Sequence, residues 1–152
     1  IHTNTAADAV QRLVDMGVDD YLIGPTLIAA VGQRLTRKIA PDSGKEVPIT
    51  DAQRAFIKKH IKDLPEEYQK QFEYETMYEA VPSKKYPSGT KGRVGVFEVM
   101  EMDKGLEEII LKDPSSLAIE RYIRGKGFIT FVEDAIGKAN RGEIPFDEVL
   151  KL

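Results

Sequence analysis

The side chains able to do chemistry are few, and their spacing restricts what they can do. His2 and His60 are the only histidines; they lie far apart, and neither is accompanied by a cysteine or by regularly spaced carboxylates, which argues against a metal site. No Ser-His-Asp or Cys-His arrangement is visible. His60 continues the face of Phe56 and Ile57 and reads as structural. His2 precedes an expected helix N-terminus, where anions are favoured. A cationic group, Gln33, Arg34, Arg37 and Lys38, closes the stretch from Ile23 to Ile39. It suits an anion, and it equally suits the end of an ordinary helix, whose dipole favours positive charge there. No phosphate loop accompanies it: Gly44-Lys45 is followed by Glu46, and Gly137-Lys138 falls inside an expected helix. Gly89, Gly92 and Gly95 surround Lys91 and Arg93 but precede a strand, where a dinucleotide fingerprint follows one. Glu98 is the single charge in an apolar run, and a buried carboxylate needs a partner; a structural pairing with a basic group is expected.

Composition narrows the classes. The chain has 152 residues, enough for one core or two small lobes. Its 22 basic and 25 acidic residues nearly cancel and give no bulk drive toward nucleic acid. A helix-turn-helix built from residues 114–124 and 131–141 would present Glu133 and Asp134 to phosphates, which would repel them. With no cysteine, a reducing compartment fits, and a cytoplasmic location is the default. No apolar run is long enough to span a bilayer. The first residue is not methionine, so a fragment of a longer protein is expected.

The elements that position these residues follow from local signals. Thr5 with Asp8 is a weak capping box for a helix carrying Val10, Leu13 and Val14 and stopped by Gly17, with Asp8 and Arg12 as a surface pair. Residues 23–39 read as one helix, Pro25 in its first turn, fully apolar and then amphipathic. Turn clusters at Pro41–Gly44 and Pro82–Gly92 bound an excursion. Within it a helix runs from Asp51 to Ile61 under a Thr50–Gln53 capping box, and a short helix after Pro65 carries Tyr68 and Phe72. Arg93–Met102 is a strand, dense in valine, and Met77–Val81 is its expected antiparallel partner. Three helices follow, the third under a Thr130–Glu133 capping box and stopped by Gly142, with a last turn from Phe146 to Leu152.

His2-Thr3-Asn4-Thr5-Ala6, with Arg12-Leu13 and Met16-Gly17, resembles the histidine box of the secretion ATPases that drive type II secretion and type IV pilus assembly. Gln33-Arg34-Leu35-Thr36-Arg37 is similar to the same family's Gln-Arg-Leu-x-Arg segment. Gly89-Thr90-Lys91-Gly92-Arg93-Val94-Gly95-Val96-Phe97-Glu98-Val99 resembles its glycine-arginine strand. The resemblance covers nearly the whole chain. It implies the C-terminal part of a RecA-like hexameric P-loop ATPase, with the Walker motifs upstream. By that resemblance His2 senses the γ-phosphate, Gln33, Arg34 and Arg37 lie at the nucleotide or subunit interface, and Arg12, Gly92, Arg93 and Glu98 belong to structural motifs.

The family's assembly-type members carry a tetracysteine zinc site whose positions here are Ala40, Ser43, Pro82 and Lys85, so no zinc is expected. The resemblance further implies ATP and Mg as cofactors of the complete protein, a homo-hexamer, an inner-membrane platform protein as partner and a location peripheral to the inner membrane. The expected fold is α/β and mainly helical, with a small antiparallel hairpin and a terminal helical cluster. The expected parts are residues 1–39, the edge of the ATPase core; 40–102, the cysteine-free insertion; and 103–152, a helical end. Alone, the chain is expected to hydrolyse nothing. The competing reading is a freestanding protein-interaction module without nucleotide chemistry.

Overall fold

The computed structural model describes residues 1–152. In chain order it contains α1 (Asp8–Asp15), α2 (Asp20–Thr26), β1 (Ala29–Ile39), β2 (Gly44–Pro48), α3 (Asp51–Ile61), α4 (Glu66–Gln69), a 3-10 turn (Lys70–Phe72), β3 (Thr76–Ala80), β4 (Thr90–Glu101), α5 (Lys104–Lys112), α6 (Ser116–Arg124), α7 (Phe131–Asn140) and α8 (Phe146–Val149). These form a mixed α/β structure with two two-stranded sheets, β1 with β4 and β2 with β3. The chain divides into two compact units, each assembled from two separate segments.

The first unit comprises Ile1–Gly32 and Glu98–Ile129. Its core is Ala6, Ala7, Val10, Ile23, Met100, Leu106, Ile110, Ile119 and Ile123. Each wholly buried aliphatic side chain there contributes roughly 1.5–3 kcal/mol of burial. α1 begins on a reciprocal box: Asp8 N–H donates to Thr5 Oγ1 at 3.2 Å, and Thr5 N–H donates to the Asp8 carboxylate at 3.1 Å. That use of Asp8 replaces the expected surface pair with Arg12. α1 stops at Gly17, whose φ of +88° suits glycine. α2 packs tightly on α5, because a side chain at Gly24 would meet Glu107 Cγ at 2.5 Å.

The second unit comprises Gln33–Phe97 and Thr130–Leu152. α7 packs against α3, α8 and β3, and buries Phe131, Ala135, Ile136 and Ala139. Both expected capping boxes are present, Thr50 with Gln53 at α3 and Thr130 with Glu133 at α7. Each satisfies two helix donors that otherwise lack intrahelical acceptors. β2 and β3 run antiparallel, with Gly44 opposite Ala80 and Pro48 opposite Thr76. Among the apolar side chains of the excursion, Ile57 and Phe72 are buried while Phe56 and Tyr68 are half-buried. Phe56 meets the Phe146 ring edge-on at 5.9 Å.

Three expectations from sequence are corrected. Residues 23–39 are not one helix: α2 ends at Thr26, with Pro25 in its last turn, and the chain then runs extended. Alanine and leucine favour a helix there, but Val31, Thr36 and Ile39 are β-branched and Gly32 weakens a helix interior. The valine-rich β4 also requires a strand partner. Second, β3 does not pair with β4. Met102 N–H donates to Ile28 O and Thr36 Oγ1 to Val94 O, so β4 runs antiparallel to β1. Third, the helices after residue 103 form no single cluster. α5 and α6 complete the first core, and α7 and α8 the second.

Candidate functional site

The histidine-box segment is held from its downstream end. Glu98, 3% exposed on β4, accepts a 2.8 Å hydrogen bond from the N–H of Ala6, itself 2% exposed. That bond joins residues 92 apart in sequence and fixes where the segment enters α1. Upstream of it, Thr3 Oγ1 donates to Thr5 O at 3.0 Å, and His2 is exposed. Arg12, on the outer face of α1, is exposed too.

Strand geometry rearranges the cationic group of the second unit. Side chains of a strand alternate between faces, so Gln33, Leu35 and Arg37 point one way and Arg34 and Thr36 the other. The single face of Gln33, Arg34, Arg37 and Lys38 required by a helix does not exist, and Leu35 is 53% exposed. The Arg34 guanidinium donates to the main-chain oxygen of Leu152 at 2.8 Å and lies 4.7 Å from the centre of the Phe131 ring. It ties the C-terminal turn to β1. Arg37 donates its N–H to Glu148 at 2.8 Å.

Arg37, Gln53, Ser88, Thr90, Glu148 and Lys151 line a polar cavity of about 380 Å³. Burial pushes the Glu148 carboxyl up, but the Arg37 N–H and the Lys151 ammonium outweigh it and hold the group below its ordinary range. Glu79 and Asp147 line the same cavity, so its carboxylates outnumber its cations. Neither Glu148 nor the Arg34–Leu152 bond was identified from sequence; the only signal was a pair of acids, Asp147 and Glu148, between Phe146 and Val149.

Gly92 has φ +73° and open space where a side chain would be. Arg93 beside it is exposed. Asp134, expected at the head of a helix repelling phosphates, accepts from Phe97 N–H at 2.9 Å and pairs with Lys138. His60 Nδ1 lies 2.8 Å from Phe56 O, in keeping with a structural role.

The positions corresponding to zinc ligands do not fit zinc. Ala40 and Ser43 are buried and Pro82 and Lys85 exposed, and a methyl, a hydroxyl, a pyrrolidine and an ammonium are no donor set for it. No three His, Asp or Glu side chains converge on a metal position. The turns are instead clasped by backbone: Ala40 N–H donates to Gly89 O at 2.9 Å, Val81 N–H to Ser43 O at 2.7 Å and Ser43 N–H to Ala40 O at 3.1 Å. Ser43 Oγ is buried inside this clasp without a hydrogen-bond partner.

No helix is long and apolar enough to cross a membrane. Residues 1–151 match the family described as "Type II/IV secretion system protein". Among curated proteins the chain is similar to "Type II secretion system protein E" of Aeromonas hydrophila, 31% identical over the whole chain and 28% of that protein. It is 30% identical to "Type II secretion system ATPase E" of Vibrio cholerae, again over 100% of the chain and 28% of the relative. It is 29% identical to "Type IV pilus assembly ATPase PilB" of Pseudomonas aeruginosa, over 98% of the chain and 25% of the relative. The chain therefore spans about a quarter of the length of these relatives.

Proposed function

Because the chain belongs to the family of type II/IV secretion system proteins, we propose that the complete protein is an ATP-hydrolysing motor for type II secretion or type IV pilus assembly. The observation that carries this reading is the family match over residues 1–151, joined by relatives named as ATPases of both systems. In this reading the chain is the C-terminal part of a RecA-like domain whose Walker motifs precede Ile1. ATP with Mg supplies the phosphoanhydride whose hydrolysis drives motion. The working form is a homo-hexamer, cytoplasmic and peripheral to the inner membrane, acting on a platform protein there, and it needs no zinc.

The chain's own residues take defined parts in this proposal. His2 stands toward the γ-phosphate and couples nucleotide state to movement. Its placement depends on Ala6, whose N–H is bound by Glu98. Arg37 serves the nucleotide or subunit interface through its exposed side chain. Gln33 shares its face, whereas Arg34 acts by holding Leu152.

The test is ATP turnover and nucleotide binding in the complete protein carrying His2→Ala. Turnover is expected to fall by about 10²-fold, as for loss of one group stabilising transition-state charge, while nucleotide affinity changes less than threefold. Equal loss of both, or of neither, removes His2 from this role. Residues 1–152 alone are expected to show no turnover; hydrolysis by them at the rate of the complete protein would refute the assignment.

A further inference from the structure

Residues 82–97 contain Lys84, Lys85, Lys91 and Arg93 and no carboxylate, in a chain whose net charge is −3. All four cations are exposed. None of the four forms an ion pair.

Their arrangement is more concentrated than that of an ordinary solvated face. The Lys85 and Lys91 ammonium groups lie 5.5 and 5.4 Å from the centre of one aromatic ring, that of Tyr86. Lys91 Nζ also reaches the Tyr86 hydroxyl at 3.4 Å. Two like charges gathered on one ring with no counter-charge repel one another, and an external anion relieves that repulsion. A tyrosine among lysines is also the side-chain combination suited to a lipid–water boundary, where the ring meets the headgroup layer and the cations meet its phosphates. The polar cavity of the same unit carries Glu79, Asp147 and Glu148 against Arg37 and Lys151, so the surplus of positive charge belongs to the 82–93 loop.

We infer that this surface docks directly onto anionic phospholipid headgroups, with Tyr86 at the boundary and Lys84, Lys85, Lys91 and Arg93 around it. The inference goes beyond the motor reading, because it assigns a lipid contact to the chain itself and does not depend on nucleotide chemistry.

The probe is flotation of residues 1–152 with vesicles of phosphatidylcholine alone or with about one third phosphatidylglycerol. Binding to the anionic vesicles is expected at low salt and is expected to weaken steeply as the Debye length shrinks. Lys84→Gln/Lys85→Gln/Lys91→Gln is expected to lower the partition coefficient by roughly 100-fold, about one cation's share for each charge removed. A control, Lys58→Gln/Lys59→Gln/Lys62→Gln on and just after α3, removes the same charge elsewhere and is expected to change partitioning less than threefold. Circular dichroism verifies that both variants are folded. Three outcomes overturn the inference: equal binding to neutral vesicles, equal loss in both triple variants, or binding of soluble polyglutamate more tightly than the anionic vesicles, which would assign the surface to an acidic protein segment. Each leaves the His2 test untouched.

Discussion

Glu98→Ala should do more damage than its surroundings in an apolar strand suggest. Its carboxylate and the Ala6 N–H are almost fully buried and meet at 2.8 Å. A typical intramolecular hydrogen bond contributes about 0.5–1.5 kcal/mol, and a buried donor left unpaired costs about 1–3 kcal/mol. Truncation to alanine removes the first and creates the second, so a loss of about 3 kcal/mol is expected. Glu98→Gln keeps an acceptor oxygen in place and should cost about 1 kcal/mol. For a chain of this size that is a fall in Tm of roughly 6–12 °C for alanine and roughly 2–4 °C for glutamine. Thermal unfolding followed by circular dichroism gives the first reading, and amide exchange gives a local one. The Ala6 N–H should exchange on the order of 10²-fold faster in Glu98→Ala, with a smaller change in Glu98→Gln. Equal Tm values for the two variants, or an unchanged Ala6 exchange rate, would refute the reasoning.

Asp103 is held down to about 2 by its hydrogen bond with Lys126, aided by Leu106 N–H and the Tyr122 hydroxyl. A depressed carboxyl stabilises the fold above its ordinary pKa of 3.8, and that stability is lost as pH falls from about 4 through about 2. Urea titrations should therefore show a smaller acid loss in Asp103→Asn, which keeps a helix-capping side chain; identical pH profiles would exclude the effect. Gly89→Ala places Cβ 2.9 Å from Ala80 C and Val81 O at a φ of +68°, so it should cost more than 2 kcal/mol, whereas Gly92→Ala, with open space at +73°, should cost only about 1–2 kcal/mol for the left-handed backbone. Guanidinium midpoints that place Gly92→Ala below Gly89→Ala would contradict this. Ser43→Ala removes a buried hydroxyl that has no partner, and the same measurement should show a gain of up to about 1 kcal/mol; a loss would mean that the hydroxyl is satisfied in solution.

Local chemistry made parts of this structure readable in advance. The boxes at Thr50–Gln53 and Thr130–Glu133 and the stop at Gly17 depend on neighbours within a few residues, so their sequence patterns sufficed. Residues 29–39 depend on β4, more than fifty positions downstream, and propensity alone favoured the wrong element. The same distance effect governs the candidate site. The isolation of Glu98 among valines signalled burial, but its Ala6 partner lies 92 residues away. Arg34 was singled out as a cation, and only the folded chain brings it to Leu152, 118 residues on. Ser43 carried no signal as an orphaned hydroxyl, because its burial follows from two backbone bonds that join the turn regions and one within the first.

The interleaving of the two units bears on how the protein is made. Ile1–Gly32 contributes Val10 and Ile23 to a core whose other members, Leu106, Ile110 and Ile119, are translated only after the whole of Gln33–Phe97. At about 5–20 residues per second, these apolar faces of α1 and α2 wait on the order of 5–20 s for α5 and α6 to leave the ribosome. The second unit then waits again for α7 and α8. A nascent chain stalled anywhere before Ile129 carries two unfinished cores, so translation speed through Gln33–Ile129 sets how long both remain open to chaperones and to aggregation.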